Sequence, residues 1–251
     1  MIRHRRAMHL VNGVALIGRL AKSANDLGVE CWTSSPAQHL VEEGGRIVGV
    51  MVHTAEGEIC LRSRYGVVLA AGGFPWDVKR RKAMFPRTPT GREHWALPPT
   101  ETTGDGLKLA EAVGGIVDRT LHSPVAWAPV SLVPWRDDDI GHFPHIIDRG
   151  KPGLIGVLAN GKRFVNEAGG YYDYVDAMIR RVPVGQEVCS WLICDHRFQR
   201  RYGIGVTRPF PMPFRHWIAK GYLKRGETPD ALARQCGIDA EGLAETLRRY
   251  N

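Results

Sequence analysis

Apolar side chains recur at three- and four-residue spacing between residues 11 and 27 (Val14, Ile17, Leu20, Ala21, Ala24, Leu27), which predicts a helix with one buried face. Gly28 is placed to end it. Residues 29–33 read as a short strand. Three alternating segments follow, at residues 38–42, 47–54 and 59–62, with turns at Gly44-Gly45 and Glu56-Gly57, and they predict an antiparallel meander. The meander runs into residues 65–74, an unbroken apolar run closing on Gly72 and Gly73. A run of that kind predicts a central strand buried on both faces.

Further along, residues 107–113 carry helical spacing, opened by Thr103-Gly104-Asp105-Gly106 and closed by Gly114-Gly115. After Ala126 the composition shifts toward Trp and Pro (Trp127, Pro129, Pro134, Trp135), then to an acidic turn at residues 137–139, and a domain boundary is expected near residue 122. Residues 154–158 predict a strand, Asn160-Gly161 a hairpin turn into residues 163–165, and residues 188–193 another buried strand. The last third is helical, with Thr228-Pro229 starting one helix and Asp239 capping the final one. The expected class is α/β (α+β), in two domains over residues 1–121 and 122–251.

Composition acts mainly by exclusion. A chain of 251 residues that is 43% hydrophobic and 24% charged folds around a core. Its longest apolar run, residues 66–74, is far short of the roughly 20 residues of a membrane span, and no signal-peptide core follows the basic start, so a cytoplasmic protein is expected. Cys31, Cys60, Cys189, Cys194 and Cys236 are scattered with no C-x-x-C pair, which predicts buried thiols in place of disulfides or a zinc site. His142 and His145 form an H-x-x-H without convergent Cys or acidic partners, which argues against a metal. The net charge of +8 is spread over arginine pairs such as Arg80-Arg81 and Arg200-Arg201, with no zinc-finger or RNP-like motif, so solvated helix faces are expected and nucleic acid is not.

Two places can meet a ligand through backbone. At Ala70-Ala71-Gly72-Gly73 no large side chain stands in the way of close approach. At residues 103–106 a helix start offers free N–H groups, although a plain N-cap by Thr103 or Asp105 explains the same string.

Several strings occur together in a fixed order: V-V-L-A-A-G-G-F (67–74), T-G-D-G-L-x-L-A (103–110), W-A-P-V (127–130), P-G-L-I-x-V (152–157) and N-x-x-R-F-V-N-E (160–167). Arg201-Tyr202-Gly203 and Gly221-Tyr222-Leu223-Lys224, ahead of a T-P-x-x-L-A helix start, complete the set. In these the chain resembles the interior of the FAD-dependent dehydrogenases related to fumarate reductase, and most of all the 3-ketosteroid dehydrogenase branch. The resemblance spans nearly the whole chain. It implies a partial FAD-binding domain with the meander and central strand over residues 1–121, then an α+β substrate-capping, catalytic domain over residues 122–251. Family members begin with a G-x-G-x-x-G turn that holds the FAD pyrophosphate and end with a glycine-rich segment over the flavin. This sequence has neither, which implies an internal portion of such an enzyme.

Residue by residue, the resemblance implies that Ser35, Pro36 and Ala37, with Ala70, Ala71, Gly72 and Gly73, lie along the adenosine and pyrophosphate of FAD. Thr103, Gly104, Asp105 and Gly106 are implied near the flavin. Arg163, Trp127 and Tyr172 are implied at the substrate, with His122 beside Trp127. Four residues beyond the Glu of the N-E string, fumarate reductases carry an arginine proton donor and ketosteroid dehydrogenases a tyrosine, and this sequence carries Tyr171.

The chemistry of that position separates substrates. Desaturation next to a carbonyl removes a hydride to flavin and a proton to a base facing the substrate. A tyrosinate serves when nearby cations or hydrogen bonds lower the tyrosine pKa from about 10. An arginine would instead clamp a dicarboxylate. The expectation is an FAD-dependent dehydrogenase of a small hydrophobic, steroid-like ketone with Tyr171 as base. The alternatives are an unsaturated-acid reductase of the fumarate reductase type, or a non-catalytic domain that binds FAD only when a separate polypeptide completes the site. Tyr171, Tyr172 and Tyr174 also admit a simpler reading as packing aromatics.

Overall fold

The computed structural model describes residues 12–121, 123–136 and 139–250. His122 and part of the acidic turn lie outside them. Two compact units account for the described residues. One runs up to Leu69 and includes Leu109–Gly115, and the other comprises Ala70–Lys108 and the chain from Ile116 onward.

In the first unit, helix α1 (Asn12–Asp26) is followed by strands β1 (Ala37–Glu43), β2 (Arg46–Thr54) and β3 (Gly57–Arg62), paired antiparallel in the order β1-β2-β3. The meander forms where the alternation places it. Leu40 and Val52 are its buried side chains, and Gly49 lets the β3 backbone pass close by. Two expectations do not hold. The apolar face of α1 is uncovered, with no residue of the helix buried, because no element packs on it among the described residues. Residues 65–74 form no strand: a strand exists only through ladder partners, none is present among the described residues, and Val68 is 89% exposed. Residues 29–33 are likewise not a strand, and Cys31 and Cys60 are exposed, not buried thiols.

The second unit holds α2 (Val78–Met84), α3 (Asp105–Ala112) from its start to Lys108, β4 (Val130–Arg136) and β5 (Asp139–Pro144) as an antiparallel pair, then β6 (Leu154–Val157). There follow α4 (Tyr171–Arg181), β7 (Trp191–Cys194) antiparallel to β6, and α5 (His196–Tyr202), α6 (Arg215–Ala219), α7 (Pro229–Cys236) and α8 (Ala240–Tyr250). All four residues of β6 are buried, and its period of two sorts them. Ile155 and Val157 pack with Ala233, Ile238 and Leu243 of the α7–α8 region. Leu154 joins Phe198 and Ile204, while Leu158 joins Trp127, Phe164, Tyr174, Val175, Met178 and Val182. The Asn160-Gly161 turn closes as expected, with Gly161 at φ 70°, but the returning chain makes one bridge, Val157 to Arg163, and no ladder. Helix caps were legible: Thr228 Oγ1 accepts from Ala231 N at 3.1 Å and Asp239 Oδ1 from Gly242 N at 2.6 Å. Among the described residues no helix is long and apolar enough to cross a membrane.

Candidate functional site

Tyr171 is the first residue of α4, after Gly170 at the N-cap. It is 42% exposed, and its hydroxyl takes no hydrogen bond among the described residues. The turn in front of it is tied down heavily. Arg163 grips Glu167 with Nε at 2.9 and 3.0 Å and Nη2 at 2.6 Å, and the buried Glu167 Oε1 also accepts from Gly156 N at 2.7 Å. Arg149, itself buried, donates to the carbonyls of Glu167 (2.7 Å), Gly169 (3.2 Å) and His145 (2.7 Å) and stacks over the Tyr174 ring at 5.0 Å. At the other end of α4, Arg87 donates to the carbonyls of Ile179, Val182, Pro183 and Gln186, supplying partners for carbonyls that a helix end leaves open.

These contacts separate the three tyrosines. Tyr174 is a packing residue: its hydroxyl meets Ser190 Oγ at 2.9 Å, and burial pushes its pKa up to about 12. Tyr172 is half-buried against the core. Tyr171, the first residue of the helix, is the exposed one of the three. Arg163 is committed to Glu167, whose hydrogen bond holds the guanidinium pKa above its ordinary value. Trp127 is buried, edge-on to His94 (4.9 Å) and Phe85 (5.7 Å). It lines a cavity of about 1460 Å³ within the second unit that Ser131, His145, Met178 and Tyr222 also line, whereas Tyr171, Tyr172 and Arg163 do not.

Of the residues assigned to FAD, the structure brings two segments together. Trp76 N donates to Thr102 O at 3.2 Å, Gly72 lies against the Thr102 methyl, and Gly104, at φ 81°, passes so close to Phe74 that a Cβ there would stand 2.9 Å from the Phe74 Cβ. Ala70, Ala71, Gly72 and Gly73 are exposed, and their backbone N–H groups make no hydrogen bond among the described residues. Free amides on a strip of small residues fit a ligand rich in acceptor oxygens, as the pyrophosphate of FAD is. At the helix start, Thr103 Oγ1 and Lys108 Nζ both donate to Asp105 Oδ1 at 3.0 Å, and these bonds, Lys108 first, hold the Asp105 carboxyl below its ordinary pKa. Gly104 and Gly106 are buried there. Ser35, Pro36 and Ala37 belong to the first unit, where Ser35 Oγ donates to Thr33 O at 3.0 Å, Pro36 O accepts from His53 N and Ala37 opens β1 opposite Val52. Arg149 and Arg87 were missed by sequence reasoning, because their partners are backbone carbonyls up to 99 residues away, which no motif encodes.

A family model described as an FAD binding domain matches residues 1–251. The chain is 38% identical over 250 residues to the 4-oxocyclohex-2-ene-1-carboxylate 5-dehydrogenase of Sinomonas cyclohexanicum, covering 99% of this chain and 42% of that protein. It is 31% identical to the 3-oxosteroid 1-dehydrogenase of Mycobacterium tuberculosis, covering 95% of this chain and 43% of that one. The crystal structure of 3-ketosteroid delta1-dehydrogenase from Sterolibacterium denitrificans, in complex with 1,4-androstadiene-3,17-dione, matches with a TM-score of 0.76 at 29% identity, over 91% of this chain and 41% of that one. The chain thus spans about two fifths of the length of these relatives. It belongs to the FAD-binding domain family, with FAD as the cofactor, and the relatives it is similar to are ketosteroid and oxocyclohexene carboxylate dehydrogenases.

Proposed function

We propose that the chain contributes the proton-abstracting half of an FAD-dependent dehydrogenase acting on a hydrophobic ketone whose oxo group sits on a six-membered ring. The observation that carries this reading is the position of Tyr171: a hydroxyl without a partner among the described residues, at the N-terminal end of α4, on a turn fixed by Arg149 and the Arg163–Glu167 pair. FAD, when bound, supplies the hydride acceptor. The chain's own part is to take the proton. Tyr171 receives it from the carbon next to the carbonyl. The relatives named above act on a ring ketone in both cases, which supports the substrate class. A tyrosine in place of an arginine weighs against a dicarboxylate. The uncovered apolar face of α1 favours a second reading on one point, that further polypeptide completes the flavin site.

The test is titration of the chain with FAD, read by flavin fluorescence, and then turnover of 4-oxocyclohex-2-ene-1-carboxylate and a 3-oxosteroid. The expected result is saturable binding, with Tyr171→Phe binding FAD as before and losing roughly a hundredfold or more of turnover, the scale of a lost general base. Unchanged turnover in Tyr171→Phe would remove Tyr171 from the mechanism. Absence of FAD binding by the chain alone, with binding restored by added polypeptide, would establish the second reading.

A further inference from the structure

Four side chains from three stretches of the sequence form one hydrogen-bonded file in the second unit. Asp148 Oδ2 meets His145 Nδ1 at 2.7 Å, His145 Nε2 meets Ser131 Oγ at 2.8 Å, and Ser131 Oγ meets the Tyr222 hydroxyl at 2.8 Å. The direction of the bonds follows from the donors at each end. The Asp148 carboxylate also accepts from Gly205 N and Arg149 N, both at 3.1 Å, so it is an acceptor on both oxygens and fixes the proton of neutral His145 on Nδ1. Nε2 is then the acceptor for the Ser131 hydroxyl, and Ser131 Oγ accepts from Tyr222. The Tyr222 oxygen in turn accepts from Val206 N at 3.3 Å. A Cβ on Gly205 would collide with the Tyr222 hydroxyl and come within 3.3 Å of His145 Cε1, so a glycine is required for the file to close.

We propose that Tyr222, Ser131, His145 and Asp148 are a proton relay between the cavity, which Tyr222, Ser131 and His145 line, and a buried imidazole. A proton reaching the Tyr222 oxygen releases that hydroxyl's own proton to Ser131 Oγ, and the Ser131 proton passes to His145 Nε2. Both hydroxyls are restored, and one imidazolium remains beside one carboxylate. The side chain of Asp148 is 18% exposed against 8% for His145, which gives the transferred proton a way to solvent. Among the described residues Arg149 is also packed here, its guanidinium donating to the His145 carbonyl at 2.7 Å. The use of the relay rests on the reading above and on a substrate seated in this cavity, which Tyr222 lines and Tyr171 does not. Its existence does not, and can be tested without FAD or substrate.

The experiment is a pH titration of the 251-residue chain carrying ring-labelled tyrosine and histidine, followed by carbon NMR, with Tyr222→Phe and His145→Gln assigning the two signals. The expected result is that the Tyr222 ring carbon bearing oxygen shifts at the same pH at which His145 titrates. Ser131→Ala abolishes the Tyr222 step while His145 still titrates, and Ser131→Thr, which keeps the hydroxyl, retains it. A Tyr222 signal that ignores His145, or follows it undiminished in Ser131→Ala, overturns the relay and leaves a static cross-link. Should the alanine variant not fold, Ser131→Cys, a poor donor, must weaken the step, and an undiminished step there also overturns the proposal.

Discussion

The smaller unit and the larger one treat equally apolar sequence in opposite ways. Helix α1 has the stronger pattern, six apolar positions at helical spacing, yet Val14, Ile17 and Leu20 are all more than half exposed. Strand β6 has four residues and buries every one, because β7, α4, α7 and α8 lie on its edge or its two faces. Periodicity suffices to form an element, but its stabilisation comes from an opposing surface that removes apolar area from water. The comparison breaks or holds on substitution. Leu243→Ala, at a fully buried position, is expected to cost about 2–5 kcal/mol in urea unfolding. Ile17→Ala is expected to change stability by less than about 0.5 kcal/mol. Similar losses at both sites would mean that α1 is covered in solution.

Glycines in turns sharpen the same contrast. Gly161 has φ 70°, and a Cβ there would run into the backbone of Asp239, Gly242 and Leu243, so Gly161→Ala combines left-handed strain with a collision against α8. Gly45 has φ 74° and nothing within 4 Å of the place a Cβ would take. The expected losses in a thermal melt correspond to roughly 2–4 kcal/mol at Gly161 and about 1 kcal/mol at Gly45. A cost at Gly45 equal to that at Gly161 would show the smaller unit to be as tightly packed as the larger.

What the sequence disclosed follows the range of the interactions involved. The meander was legible because alternation and the glycine turns at Gly44-Gly45 and Gly57 are local signals, and so were the caps at Thr228 and Asp239. Residues 65–74 misled because an apolar run specifies that it prefers burial and not what will flank it. Within the candidate site, Tyr171 was singled out only through a string of neighbours, N-x-x-R-F-V-N-E. Arg149, Arg87 and the file from Asp148 to Tyr222 were not, since their partners come together through the packing of the second unit: Ser131 and Tyr222 are 91 residues apart. His142 and His145 looked like a pair at the sequence level, but His142 stacks on Trp95 at 5.3 Å while His145 bonds Asp148 and Ser131.

The smallest effect tests the comparison through charge. In the first unit Glu43 and Arg62 form a double-bonded pair at 2.7 and 2.8 Å, and the hydrogen bond from Arg62 lowers the Glu43 pKa, but both side chains are more than half exposed and solvent screens them. In the second unit burial works to raise the Asp148 carboxyl, while the bonds from His145 and Gly205 N outweigh it and hold the group below its ordinary value. A carboxyl depressed in the folded state binds protons less readily there than in the unfolded chain. Its contribution to stability is therefore present above the unfolded pKa of about 3.9 and is lost as pH falls through the folded one. Asp148→Asn is expected to cost roughly 1 kcal/mol at pH 5, the scale of a net hydrogen bond, with the difference from the parent shrinking toward pH 3. Glu43→Gln should show a smaller difference at low salt that fades as salt is added. A difference for Asp148→Asn that stays constant from pH 5 to pH 3 would mean that the carboxylate is not what holds His145 in place.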